Sequence, residues 1–198
     1  MPRNLAILIF DEVEVLDFCG PFEVFSVANQ FTDSPAFNVF TVAGKAGPIL
    51  TRGSLSVTPH HRLADCPSPN LLLVPGGQGT RKEMHNPALI DWIKQASEMA
   101  ELFMSVCTGA MLLAKAGLLD GLKATTHHGS IDVLREMAPK TMVCADRRFV
   151  DNGRVICSAG IAAGIDMSLH VVTRFLGKEV AEKTARHMEY PWDGRGNE

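Results

Sequence analysis

The sequence predicts a three-layer α/β/α sandwich built on a mostly parallel sheet, and three observations carry that expectation. Apolar runs of strand length alternate with helical patterns over most of the 198 residues. No repeat, low-complexity segment or linker interrupts the alternation. In Ser105-Val106-Cys107-Thr108-Gly109-Ala110, a cysteine stands where an apolar run turns abruptly into a helix.

Taken in chain order, strands are expected over residues 5–10, 37–42, 71–74 and 102–106. A late hairpin is expected from 148–150 and 155–158, turned by Asn152-Gly153. The first helix should open at Pro21, because a proline lacks only an amide that is unbonded there anyway. Pro87 behind Asn86 as a cap should open the second. A third helix follows Cys107 and stops at Gly117, a fourth covers about residues 130–137, and Gly177 splits the last pair.

With 46% hydrophobic residues and a formal charge of −3, the chain has enough apolar material for a core and reads as one domain over residues 1–198. Lys and Arg are not clustered, which argues against nucleic-acid or anionic-membrane binding. The first apolar run is too short for a signal-peptide core or a membrane span, so the expected location is the cytoplasm. Five cysteines without CxxC spacing argue against a disulfide framework and a closed zinc site, and fit a reducing compartment. No metal site is expected, since the histidines lack ligand spacing.

Chemistry is expected at Cys107. Strand and helix can double back sharply there because Ser105, Gly109 and Ala110 are small. A sulfur at the first turn of a helix feels free amides and the positive end of the dipole, so a lowered thiol pKa is expected. Cys19, Cys66, Cys144 and Cys157 lack that setting and read as structural.

In open parallel sheets, ligands gather beyond the carboxyl ends of the strands. The loop from Asp11 to Pro21 brings Glu14 and Asp17 there. Pro75-Gly76-Gly77-Gln78-Gly79-Thr80 brings backbone amides. The glycine loop lacks the Lys-Ser/Thr ending of a nucleotide loop. It is either a tight turn or, with the Gly77 and Thr108 amides, a cradle for developing negative charge.

Asp17, between Leu16 and Phe18, has an apolar setting that would raise its pKa and let it donate to the sulfur. Glu14 is either a second acid of the site or a solvated residue. His127 or His128 is either a base or a structural ring, and only one of two consecutive side chains can face the site. His60 and His61 read as surface, and His187 with Glu189 as a weaker triad alternative.

These segments resemble the ThiJ/PfpI superfamily, related in fold to class I glutamine amidotransferases, and within it the isocyanide hydratase branch. The resemblance spans nearly the whole chain. It rests on Leu16-Asp17-Phe18-Cys19-Gly20-Pro21, Pro75-Gly76-Gly77, the elbow, Ala124-Thr125-Thr126-His127, and Ser158 through Asp166. It implies a flavodoxin-like sandwich, a homodimer, and a cofactor-free enzyme acting on a small-molecule substrate. In that enzyme Cys107 is the nucleophile, Asp17 its acid and Thr108 an assistant. Gly76, Gly77 and Thr108 would bind substrate, with His127 and Asp166 as auxiliaries.

The activity implied is addition of water to an isocyanide, giving an N-substituted formamide through a thioimidate on Cys107. Two alternatives accompany it: aldehyde or glyoxal detoxification, and ligand or redox sensing akin to domains fused to AraC-type regulators. His128 stands where these hydratases usually have an aromatic residue, and Cys19 where a hydroxyl residue is common.

Overall fold

The computed structural model describes residues 1–194. In chain order its strands are β1 (Arg3–Leu8), β2 (Phe37–Ala43), β3 (Ile49–Leu50), β4 (Ser56–Val57), β5 (His61–Arg62), β6 (Leu71–Val74), β7 (Leu102–Val106), β8 (Lys123–Ala124), β9 (Met142–Val143), β10 (Phe149–Asp151) and β11 (Val155–Ser158). The helices are α1 (Val15–Ala28), α2 (Thr80–Glu83), α3 (Pro87–Met99), α4 (Gly109–Lys115), α5 (Ile131–Met137), α6 (Ala163–Leu176) and α7 (Lys178–His187).

Seven strands form the main sheet in the order β10-β11-β7-β6-β1-β2-β5, parallel except for β10 at one edge. Helices α1, α6 and α7 pack together as one outer layer, and α2 to α5 form the other. This is the flavodoxin-like sandwich. Leu71, Leu72 and Leu73 of β6 are wholly buried, each contributing about 1.5–3 kcal/mol. A register slip would therefore be costly. The register sets Val74 beside Ser105 and Val106 beside Ser158, so the chain leaves β6, β7 and β11 at the same level.

The chain reverses its direction of travel across the sheet between β1 and β6, which opens a crevice at their carboxyl ends. The loops after these strands are stitched across it. Val13 bridges Gly77, Glu14 N donates to Gly76 O at 3.0 Å, and Gly79 N donates to Glu12 O at 3.2 Å.

Several expected boundaries move. β1 spans Arg3–Leu8 rather than 5–10, although Ile9 N still donates to Val42 O at 2.8 Å. β10 begins one residue later than expected, and Asn152 N closes its turn on Val155 O at 2.9 Å. The larger correction concerns α1, which starts at Val15 and carries Pro21 inside it. A proline there forgoes the bond to the Asp17 carbonyl. Packing offsets the loss, because α1 lies against α6 with Pro21 close over Gly164. Asp17 is thus a first-turn helical residue rather than a loop residue.

Asn86 caps α3, accepting from Leu89 N at 3.4 Å. Gly177 separates α6 from α7 at φ 87°.

The first residue of α4 lies against the end of β6, where a Cβ on Gly109 would sit 2.0 Å from Val74 O. Only a glycine lets the helix start so close to the sheet. Gly109→Ala should therefore destabilise the protein by about 1–3 kcal/mol, read as a lower urea midpoint. An unchanged midpoint would contradict the close approach.

Candidate active site

All five residues of β7 are buried, and the chain turns at Cys107 with φ 56°. A left-handed backbone at a non-glycine residue costs about 1–2 kcal/mol and persists only where its surroundings enforce it. Here the Cys107 amide reaches Ser158 O and Ala159 O, each at 3.2 Å. The Cys107 carbonyl accepts from the Thr126 hydroxyl at 2.7 Å. Strand β11 and the Thr125-Thr126 segment therefore clamp the elbow from two sides. The role of Thr126 escaped the sequence reading, which attached meaning only to the histidine after it.

Asp17 is completely buried, with Oδ2 accepting from Gly76 N at 3.0 Å. Its other oxygen has no hydrogen-bond partner with nitrogen or oxygen. Burial, reinforced by the nearby Glu14 charge, pushes its carboxyl up to about 7, against the Gly76 amide and the Cys107 thiol, which pull it down. The Cys107 thiol is pushed up to about 12, first by burial and then by Asp17, with the Thr108 amide and hydroxyl pulling the other way.

The expectation of a lowered thiol pKa is thus corrected. The helix behind the elbow has seven residues, and its dipole is outweighed by desolvation. Thiol and carboxyl form a coupled pair that does not carry two negative charges at neutral pH.

The Thr108 hydroxyl fastens the elbow to the glycine loop. It accepts from Gly77 N at 3.0 Å, lies 3.3 Å from Gly77 O, and lies 3.2 Å from the Thr80 hydroxyl. The Gly77 amide is thereby engaged with Thr108 and the Gly76 amide with Asp17, while the Thr108 amide, the other donor of the expected cradle, is directed to the Cys107 sulfur.

Above the sulfur is a cavity of ≈ 100 Å³. Of the expected site residues, Cys107, Thr108, Gly77 and His127 line it. Asp17 and Gly76 are not among its lining residues. Asp166 lies outside the cavity: it accepts from Arg148 Nε at 2.6 Å and from the Tyr190 hydroxyl at 3.0 Å, tying α6 to the C-terminal segment. Glu14 does line the cavity, paired with Arg52 at 2.9 Å, and Gln78, Arg81, Ser130 and Ile161 complete it. Arg52 is 38 residues from Glu14 in sequence, and no local pattern foretells their pairing.

His127 Nδ1 accepts from Gly129 N at 3.2 Å, which leaves the proton on Nε2 in the neutral ring. Burial and then the charges of His128, Arg81 and Arg52 hold it below the usual histidine range. Gly160 lies between this ring and the Cys107 sulfur, since a Cβ there would meet His127 Cδ2 at 2.5 Å and Cys107 Sγ at 3.2 Å. Of the two adjacent histidines, His127 lines the cavity, and exposed His128 lies against it with ring centroids 4.3 Å apart and planes tilted by 35°.

Half-buried Cys19 is on α1, away from the lining. His187 packs edge-on against Phe31 rather than near Cys107. Among the described residues, no cluster of three or more His, Cys, Asp or Glu could hold a metal, and no helix is long and apolar enough to cross a membrane.

Comparison with known proteins agrees with this architecture. The isonitrile (isocyanide) hydratase of Pseudomonas putida is 30% identical over 190 residues, covering 96% of this chain and 79% of that protein. The HTH-type transcriptional regulator CdhR of Pseudomonas aeruginosa is 31% identical over 182 residues, covering 91% of this chain. The chain spans about half the length of that regulator, 53%. A crystal structure of a ThiJ/PfpI family protein from Pseudomonas syringae superposes with a TM-score of 0.87 at 27% identity, covering all of this chain and 78% of the other. The DJ-1/PfpI family model matches residues 3–174. On sequence and fold together, the chain belongs to the DJ-1/PfpI family.

Proposed function

We propose that the protein is a cofactor-free cysteine enzyme that adds water to a small isocyanide through a thioimidate on Cys107. The observation that carries this reading is the buried Asp17 carboxyl beside Cys107, in a chain similar to an isonitrile hydratase.

In the state with one shared proton, that proton rests on the sulfur, and the Asp17 carboxylate takes it as the substrate arrives, leaving a thiolate. The thiolate attacks the terminal carbon of R–N≡C, forming the S–C bond. The proton from Asp17 passes to that carbon, giving R–N=CH–S–Cys107. Water then adds to the same carbon while the imine nitrogen takes up a proton. Collapse breaks the C–S bond, releases R–NH–CHO and returns a proton to the thiol–carboxyl pair. Charge in the first step develops on carbon and is quenched by a proton, so no oxyanion cradle is needed.

The nearby HTH regulator favours a second reading, in which Cys107 binds a ligand or is oxidised without turnover. The homodimer implied by family resemblance belongs to the proposal too, with light scattering as its measurement.

Formation of formamide from a small alkyl isocyanide should vanish in Cys107→Ala. Activity surviving that change would exclude the mechanism. Sensing instead requires that oxidation of Cys107 by low peroxide alters assembly or partner binding, and methylglyoxal turnover would favour the detoxification alternative. Asp17→Asn should lower kcat/KM by about 10²–10⁴-fold. Wild-type turnover should rise with pH through about 7 as the pair goes from two protons to one, and Asp17→Asn should lose that rise.

The same residue affects folding. Because burial raises Asp17 from 3.8 to about 7, its neutral form contributes stability below pH 4 that is lost as pH rises through 7. At pH 8 the Asp17→Asn variant should be the more stable protein, by an amount on the order of a few kcal/mol. Equal urea midpoints at pH 8 would place the carboxyl in a more polar environment.

A further inference from the structure

The rim of the cavity above Cys107 carries more positive than negative side chains. Glu14 is matched by Arg52 at 2.9 Å. Arg81 has no such match: among the described residues it makes no ion pair, and its Nη1 contacts only the neutral Gly77 O at 3.1 Å and Thr80 Oγ1 at 3.3 Å. Those two contacts tether one nitrogen of an otherwise exposed guanidinium beside the cavity. They involve one nitrogen, leaving other N–H donors of a fork that binds carboxylate oxygens in pairs. His127, with Nδ1 accepting from Gly129, adds no competing charge when neutral.

We propose that the substrate's electrophilic carbon is joined by a short link to a carboxylate, and that Arg81 is the residue selecting it. The inference rests on Cys107 being the nucleophile and specifies the substrate class that the proposed activity leaves open. Size limits the link. A cavity of about 150 Å³ holds a benzene ring and this one is ≈ 100 Å³, which favours a short link over a bulky one. The polarity agrees with that orientation. The negative charge of the thiol–carboxyl pair is at the floor, the guanidinium at the rim, and the substrate enters carbon first with its anionic end outward.

The test uses two alkylating reagents that differ in charge and little in size, iodoacetate and iodoacetamide. Both transfer a carbon to the thiolate and release iodide. Rates at Cys107 are followed by peptide mass spectrometry, with glutathione as the free-thiol reference. For the wild type, the iodoacetate-to-iodoacetamide rate ratio should exceed that of glutathione roughly tenfold. Arg81→Gln should bring the ratio down to the glutathione value, the ratio being the readout whatever happens to either rate alone, and Arg81→Lys should keep part of the preference. A wild-type ratio no higher than that of glutathione, or one unaltered in Arg81→Gln, overturns the proposal and leaves the nucleophile standing. Failure of both reagents to label Cys107 overturns the nucleophile reading and the proposal with it.

Discussion

The left-handed backbone at Cys107 is the constraint on which the rest of the site depends. It is tenable because β11 supplies two carbonyls to its amide and Thr126 supplies a hydroxyl to its carbonyl. The first of these clamps works only with β7 and β11 in register. That register is fixed by the apolar side chains of a sheet covered on both faces. Core packing and nucleophile geometry are therefore one problem here. A slip of a single residue in the sheet would turn Ser158 away from the elbow and release the strain that presents the sulfur.

Two opposing effects act on the sulfur. The amide at the start of α4 favours the anion, and withdrawal from water disfavours it. Withdrawal wins, because the helix is short and a buried carboxyl adjoins the thiol. Reactivity in such a setting cannot come from a freely ionised thiol. It comes from a proton that two neighbouring groups share, and burial makes the second ionisation costly enough to keep that proton in place. Thr108 contributes by fixing the glycine loop against the elbow, which keeps Gly76 N on the Asp17 carboxylate.

Much of this architecture was legible in the sequence. β6, β7 and β11 match the expected runs, since a buried parallel strand is a short apolar segment with little else to confuse it. The elbow was legible because only small residues can flank it. The start of α1 was not, because Pro21 looks like a helix opener and only its tertiary contact with α6 makes it tolerable inside. Two-residue strands such as β8 and β9 carry no period to detect. At the site, Cys107 and Asp17 could be singled out by their local surroundings. Arg52 could not, since its meaning arises from pairing with Glu14 across the crevice. Asp166 misled for the converse reason: its motif is local, but its partners Arg148 and Tyr190 are distant and tie the fold together. The engagement of the Gly77 amide by a hydroxyl 31 residues away was equally invisible.

The carboxyl of Asp17 is buried, interacts with the thiol, and is not among the residues that line the chamber where a ligand would sit. In the proposed reaction, activation and recognition therefore fall to different parts of the chain, the first to α1 and the elbow, the second to the segments that carry Arg52, Gln78 and, in α2, Arg81. Such a division lets the visible walls drift while the hidden engine stays intact. One scaffold can in this way be redirected to a new metabolite, or to mere detection of it, by exchanging a few side chains at the mouth.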